Sequence, residues 1–93
     1  MALNIVWSLE ALEDIESIAN YIEKDSPVYA KAVVNKFFEK VKILQEHPEL
    51  GRKVPEMNSE TIREIFVYSY RLIYSIEDET ITVIAVVHGK RLL

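Results

Sequence analysis

Apolar residues recur along this chain at two spacings, and the change between them divides it. Leu3, Ile5 and Trp7 alternate with Asn4 and Val6, which predicts a short first strand. Leu12, Ile15, Ile18, Ala19 and Ile22 then follow at helical spacing. Ser8 ahead of them can cap a helix, and Glu10, Glu13 and Asp14 suit the positive end of its dipole. A first helix is therefore predicted over Ser8–Lys24. Asp25-Ser26-Pro27 ends it and starts the next. Ser26 can cap, and Pro27 fits the first helical position, where its missing N–H has no bond to lose. The stripe Ala30, Val33, Val34, Phe37, Val41 and Leu44 carries this second helix to His47, and Pro48 stops it. The link is short, so the two helices should lie antiparallel.

Strand composition returns in the last third, over Ile62–Val67, Tyr70–Glu77 and Thr80–His88. With Asp78-Glu79 as a two-residue loop, Glu77 faces Thr80. Tyr70, Leu72, Tyr74 and Ile76 then share a wholly apolar face, phenol hydroxyls aside, with Ile81, Val83, Ala85 and Val87. Arg71, Ile73 and Ser75 lie on the other face with Thr80, Thr82, Ile84, Val86 and His88. A slip of one residue would mix the sets, which supports this register. It places Arg71 and His88 together, away from the core, on a half-apolar face that invites a partner. The parity of the Tyr68-Ser69 turn leaves the face of Arg63 open. Pro48 to Glu60 reads as one irregular segment holding Gly51, Arg52, Lys53 and Glu56. The sum is an α+β, two-layer β-α-α-β-β-β fold. A helical hairpin packs on a small antiparallel sheet, in one domain over residues 1–93.

Composition narrows the function. Half the 93 residues are hydrophobic, which allows a core and argues against disorder. There is no cysteine, so disulfides and thiolate metal sites are excluded. Two histidines, His47 and His88, make a histidine-rich metal site unpromising, and no phosphate-cradling loop or HExxH motif occurs. No apolar run nears the roughly 20 residues of a membrane span, and the N-terminus lacks a signal peptide's basic start, so a cytoplasmic protein is expected. The net charge of −4 argues against a nonspecific nucleic-acid coat. Positive charge is nevertheless gathered late, at Arg52, Lys53, Arg63, Arg71, Lys90 and Arg91.

Three residues carry candidate chemistry. His47 before Pro48 reads as a helix C-terminal residue. His88 ends a strand ahead of Gly89-Lys90-Arg91, where it either rests on a backbone carbonyl or serves as a proton donor. Arg71 either pairs with a carboxylate such as Glu64 on the neighbouring strand or offers its planar fork to a phosphate or an acidic partner.

The segments HPELGRKVPE, IREIFVYSYRLIYSI and ITVIAVVHGKR, in this order after two helices, resemble the RelE/ParE superfamily. These are the toxins of bacterial type II toxin–antitoxin, or plasmid-stabilisation, modules. The likeness runs from Trp7 to Arg91. It implies two helices on a small sheet, and a cognate antitoxin that wraps the toxin with an acidic-hydrophobic segment. The P-E-L-G-R loop and the V-x-H-G-x-R ending are most similar to ParE-like members, which poison DNA gyrase by binding. RelE-like members cut mRNA on the ribosome. One subgroup uses a Glu, an Arg and a His, which map onto Glu56, Arg71 and His88 as base, phosphorane cation and acid. The departures weigh against cutting. Lysine-rich helices are missing, Ala85-Val86-Val87 stands where cutting members place an arginine, and no aromatic follows Arg91. The resemblance thus implies a gyrase-binding toxin without cofactor or metal. Arg52, Arg63, Lys90 and Arg91 would touch target or antitoxin.

Overall fold

The computed structural model describes residues 2–91. The chain runs β1 (Asn4–Trp7), α1 (Leu9–Glu23), α2 (Pro27–Glu46), a 3-10 turn (Pro48–Leu50), β2 (Arg52–Lys53), β3 (Ile62–Val67), β4 (Tyr70–Glu77) and β5 (Thr80–His88). Both helices start where the capping residues place them. The Ser8 hydroxyl accepts from Ala11 N–H at 3.0 Å, and the Ser26 hydroxyl accepts from Tyr29 N–H at 3.1 Å. Pro27 occupies the first turn of α2, and His47 caps its end. The helices cover one face of the sheet. Phe37, Val41 and Leu44 from α2 and Ala11 and Ile15 from α1 close on Leu72, Tyr74, Ile81 and Val83. Burying a side chain such as Phe37 or Leu72 contributes roughly 1.5–3 kcal/mol.

The sheet order is β1-β5-β4-β3-β2. Two features depart from the sequence expectation. The sheet is mixed, because β1 runs parallel to β5, with Ile5 opposite Ile81. Alternation reports which residues share a face but not the direction of the neighbouring strand. The segment expected to be irregular also supplies a fifth strand: Arg52 and Lys53 pair antiparallel with Glu64 and Arg63. Two residues are too few to show a period.

A third departure matters more. Glu77 faces Thr80 as expected, and the register holds through Tyr74 opposite Val83. The next pair is Ile73 with Ala85, so β5 carries one extra residue, a bulge at Ile84. Beyond it the parity inverts. Val86, not Val87, joins the core at 3% exposure, and Tyr70 faces His88. Ala85 is only half-buried. Helix α1 secures the bulge. The Ser8 hydroxyl donates to the Ile84 carbonyl at 2.9 Å, and the Asp14 carboxylate accepts from Val86 N–H at 3.0 Å. The groups that the bulge takes out of the ladder are thus satisfied by a helix.

Tyr74 ties the connection after α2 to the sheet. Its hydroxyl donates to the Pro48 carbonyl at 2.7 Å and accepts from Gly51 N–H at 3.0 Å. A side chain at Gly51 would collide with that hydroxyl and come within 2.7 Å of the Glu64 carbonyl. Arg63 lies on the helix side, opposite Tyr74, and donates to the Gly51 carbonyl at 2.7 Å.

Asp78 and Glu79 sit at φ 50 and φ 58, the pair of left-handed residues that a type I′ hairpin needs. Each costs about 1–2 kcal/mol in that conformation. Replacing them together, Asp78→Asn with Glu79→Gly, should raise the unfolding free energy by about 1 kcal/mol and Tm by about 4–8 °C. Scanning calorimetry checks this, and a lower Tm would show that the native side chains hold the turn.

Burial pushes the Tyr74 phenol above its ordinary value of 10.0, against smaller downward pulls from Gly51 and Arg63. The unfolded phenol ionises first, so Tyr74 contributes its full stability below about pH 10 and loses it as pH rises further. Tyr74→Phe should cost about 1–3 kcal/mol at neutral pH, through the unpaired Pro48 and Gly51 groups, yet show a shallower alkaline decline. Urea titrations near pH 7 and near pH 11 check both halves. Parallel losses in the two proteins would assign the alkaline decline to another group.

Candidate functional site

Strand alternation gathers charge on the sheet face turned away from the helices. Glu64 and Phe66 on β3 point there, as do Arg71 and Ile73 on β4. The segment after β2 folds back over this face, and Val54 and Ile73 are each only 1% exposed. This corrects the expectation of an open, half-apolar face. Ile73 and Arg71 lie under cover, and Val86 and His88 belong to the other side.

Arg71 is 4% exposed, and protein oxygens surround its guanidinium. Its Nε donates to Glu64 Oε1 at 2.7 Å, and Nη2 lies 2.6 Å from the same oxygen. Nη1 and Nη2 reach the two oxygens of Glu56 at 2.8 and 2.7 Å, a bidentate pair. Nη1 also donates to the Arg91 carbonyl at 3.1 Å. Four hydrogen bonds and the close ion-pair contact of Nη2 with Glu64 thus occupy the fork. Glu64, itself 1% exposed, takes Arg52 Nε on its second oxygen at 2.6 Å. Arg52 in turn lies over the Phe66 ring, 5.4 Å from its centre. Among the described residues, two carboxylates thus face two guanidinium groups, and their charges balance. The hydrogen bonds that Arg71 donates to Glu56 lead the interactions that hold its guanidinium above its ordinary range, against the opposing effect of burial. Of the two sequence readings of Arg71, pairing with Glu64 is the one the structure realises.

His88 is elsewhere. The bulge turns it to the helix side, where its ring meets the edge of Tyr70 at 5.8 Å. Arg71 is opposite Val87 on the other face. The shared face expected for Arg71 and His88 is therefore corrected. Glu56 and Arg71 come together, and His88 does not join them. His88 Nδ1 accepts from Lys90 N–H at 3.3 Å, and the imidazole is exposed. It borders an open groove of about 720 Å³ between α1 and the ends of β4 and β5.

The other expected contact residues divide. Arg52 and Arg63 are engaged as described, and Lys53 pairs with Glu60 at 2.7 Å on the surface. Lys90 and Arg91 present exposed side chains from a turn closed by Gly89 N–H to the Ser69 carbonyl at 2.6 Å and by Arg91 N–H to the His88 carbonyl at 2.9 Å. The last two residues of the tail lie outside the described residues. Sequence reasoning gave Glu64 no role beyond pairing, although it anchors the cluster. A lone acid between Arg63 and Ile65 in a strand was the available signal, since a buried carboxylate demands a cation. Tyr21 and Tyr29, which line the groove, left no signal, because nothing local reveals which helix face a groove will border.

Residues 5–93 match the family model described as the ParE toxin of the type II toxin–antitoxin system, parDE. Toxin RelE2 of Caulobacter vibrioides is 30% identical over 89 residues, covering 95% of this chain and 97% of that protein. Among solved structures, the chromosomal ParDE toxin–antitoxin system from P. aeruginosa contains a chain that superposes with a TM-score of 0.78. It is 18% identical, over 96% of this chain and 98% of that one. A double mutant of the E. coli toxin RelE in the free state superposes at 0.70 with 22% identity, over 97% and 86% of the two chains. These likenesses support the two-layer α+β fold.

Removing one partner of a buried pair strands the other. Glu64→Ala should therefore cost about 3 kcal/mol or more, because Arg71 loses one of its two carboxylates and Arg52 is released. Glu60→Ala, which breaks an exposed pair, should leave the denaturation midpoint in place. Urea unfolding of the two variants compares them, and equal midpoints would mean that Arg71 gains little from Glu64.

Proposed function

Because the chain belongs to the ParE toxin family of type II toxin–antitoxin systems, within the RelE/ParE superfamily, we propose that it disables its target by binding and that the target is DNA gyrase. A cognate antitoxin holds it in check, and both act in the cytoplasm. One observation carries the reading against the ribonuclease alternative. Glu56, Arg71 and His88 do not converge, and the two that meet neutralise each other. Metal-free RNA cleavage needs a base free to take the 2′-hydroxyl proton, a cation free to face the phosphorane and an acid beside the leaving oxygen. Both oxygens of Glu56 hold Arg71, whose guanidinium is also bonded to Glu64 and the Arg91 carbonyl, and the imidazole stands at the end of β5 against Tyr70. The same arrangement serves binding well. It fixes the carbonyl of Arg91, and so the turn from which Lys90 and Arg91 project.

The test follows mRNA ends and plasmid supercoiling in the same cells after induction, alongside gyrase assays with purified chain. Supercoiling should fall while ribosome-associated mRNA stays intact. Lys90→Ala with Arg91→Ala should weaken gyrase inhibition about 10-fold or more, as for two lost charged contacts. Codon-linked mRNA cuts that slow about 10²-fold or more in His88→Ala, with supercoiling unchanged, would establish the ribosome-dependent endoribonuclease of Glu56, Arg71 and His88 instead.

A further inference from the structure

We propose that the groove between α1 and the ends of β4 and β5 is a docking site for a polypeptide partner that inserts a lysine or arginine side chain among Tyr21, Tyr29 and Tyr68. The three rings stand in solvent at 70, 49 and 54% exposure around this one groove. The rings of Tyr29 and Tyr68 lie 6.2 Å apart at a tilt, which leaves π faces open to the space between them. Their phenols gather there too. Tyr70 is held above its ordinary value first by burial and then by the phenols of Tyr29 and Tyr21.

The groove's polarity selects its occupant. Ile18, Ile22 and Val86 line its apolar part. Asp14, Asp25 and the phenol oxygens supply acceptors, and one oxygen of Asp14 is already used by Val86 N–H. Tyr21 and Asp25 flank the C-terminal end of α1, where the helix dipole is negative; the last turn itself holds no basic residue, and Lys24 at the cap is not among the groove's lining residues. An aliphatic stem ending in a cation fits this combination. The stem covers isoleucine, and the charge meets aromatic faces, carboxylate and helix end. A purely apolar side chain would strip water from phenols and carboxylates without replacing it. A phosphate backbone would meet Asp14 and Asp25 with like charge, and Arg91 is the one cation among the described lining residues.

The experiment titrates the isotope-labelled full chain with N-acetyl-arginine amide and N-acetyl-lysine amide, following backbone amide signals by NMR. N-acetyl-citrulline amide, a neutral near-isostere, and N-acetyl-leucine amide are the comparators. Saturable shifts should centre on Tyr21, Asp25, Tyr29 and Tyr68, with the citrulline compound about 10-fold weaker or more. Tyr29→Phe, which keeps the ring, should retain binding. Tyr29→Leu, Tyr68→Ala and Asp25→Asn should each weaken it several-fold, with spectra otherwise matching the parent chain. Equal shifts from the citrulline or leucine compound would overturn the proposal. So would shifts centred elsewhere, or no saturation below about 10 mM. A tetrauridylate that shifts the same amides in place of the arginine compound would reassign the groove to RNA.

Discussion

A guanidinium at 4% exposure fixes much else in this molecule. A buried charge without partners is costly enough that the surrounding chain must supply them. Arg71 draws its partners from three places: Glu64 on the neighbouring strand, Glu56 in the segment after β2, and the carbonyl of Arg91 past the end of β5. β3 is placed by its own core residue Val67, but beyond Val54 the other two have no run of buried apolar residues to place them. The charge, together with Val54, holds them in place, covering the sheet face that the helices leave open. It also makes an exposed loop and a chain end depend on a residue in the middle of β4.

The opposite face depends on a different constraint, the extra residue in β5. With a regular ladder Val87 would enter the core and His88 would join Arg71. The bulge exchanges these roles, and α1 makes it tolerable, since Ser8 and Asp14 take up the freed backbone groups. Ser8 therefore serves twice. It accepts from Ala11 to start the helix and donates to Ile84 to hold the strand. Through it the entry of α1 is registered against the sheet, and Asp14 and Val86, which make the second contact, both line the groove beside His88.

The outcome explains what could be read beforehand. Caps were legible because Ser8, Ser26 and Pro27 act on their immediate neighbours. The β4–β5 register was legible from Glu77 back to Tyr74, because polar Thr80 and Thr82 alternate there with Ile81 and Val83. It failed beyond Val83 for a specific reason. Ile84, Ala85, Val86 and Val87 are all apolar, so the run carries no parity and an inserted residue leaves no trace. The path of Glu56 was illegible because its segment has no period. Its destination depends on a buried charge that becomes visible only when the strands are paired. The family likeness survived these errors because it rested on local motifs, the P-E-L-G-R loop and the H-G-K-R ending, rather than on which side chains meet.

The H-G-K-R turn is where the two faces touch. Its His88 and Arg91 border the tyrosine groove, while the Arg91 carbonyl answers to Arg71 on the far side. Gly89 permits this crossing, since a side chain there would come within 2.9 Å of the Ser69 carbonyl to which its N–H is bonded. The turn is thus pressed against the β3–β4 hairpin and cannot be lifted without breaking that bond and the one from Arg71. A partner that pulls on Arg91 consequently acts against the ion cluster, and one that fills the groove acts against a wall held in place from behind. Rigid presentation of Lys90 and Arg91 would favour the proposed binding role, because less side-chain and loop freedom is lost when a complex forms. The separation of Glu56 and Arg71 from His88 points the same way. The acid and the base of a cutting site would need to meet although Glu56 is held against Arg71 and His88 pairs across the ladder with Tyr70.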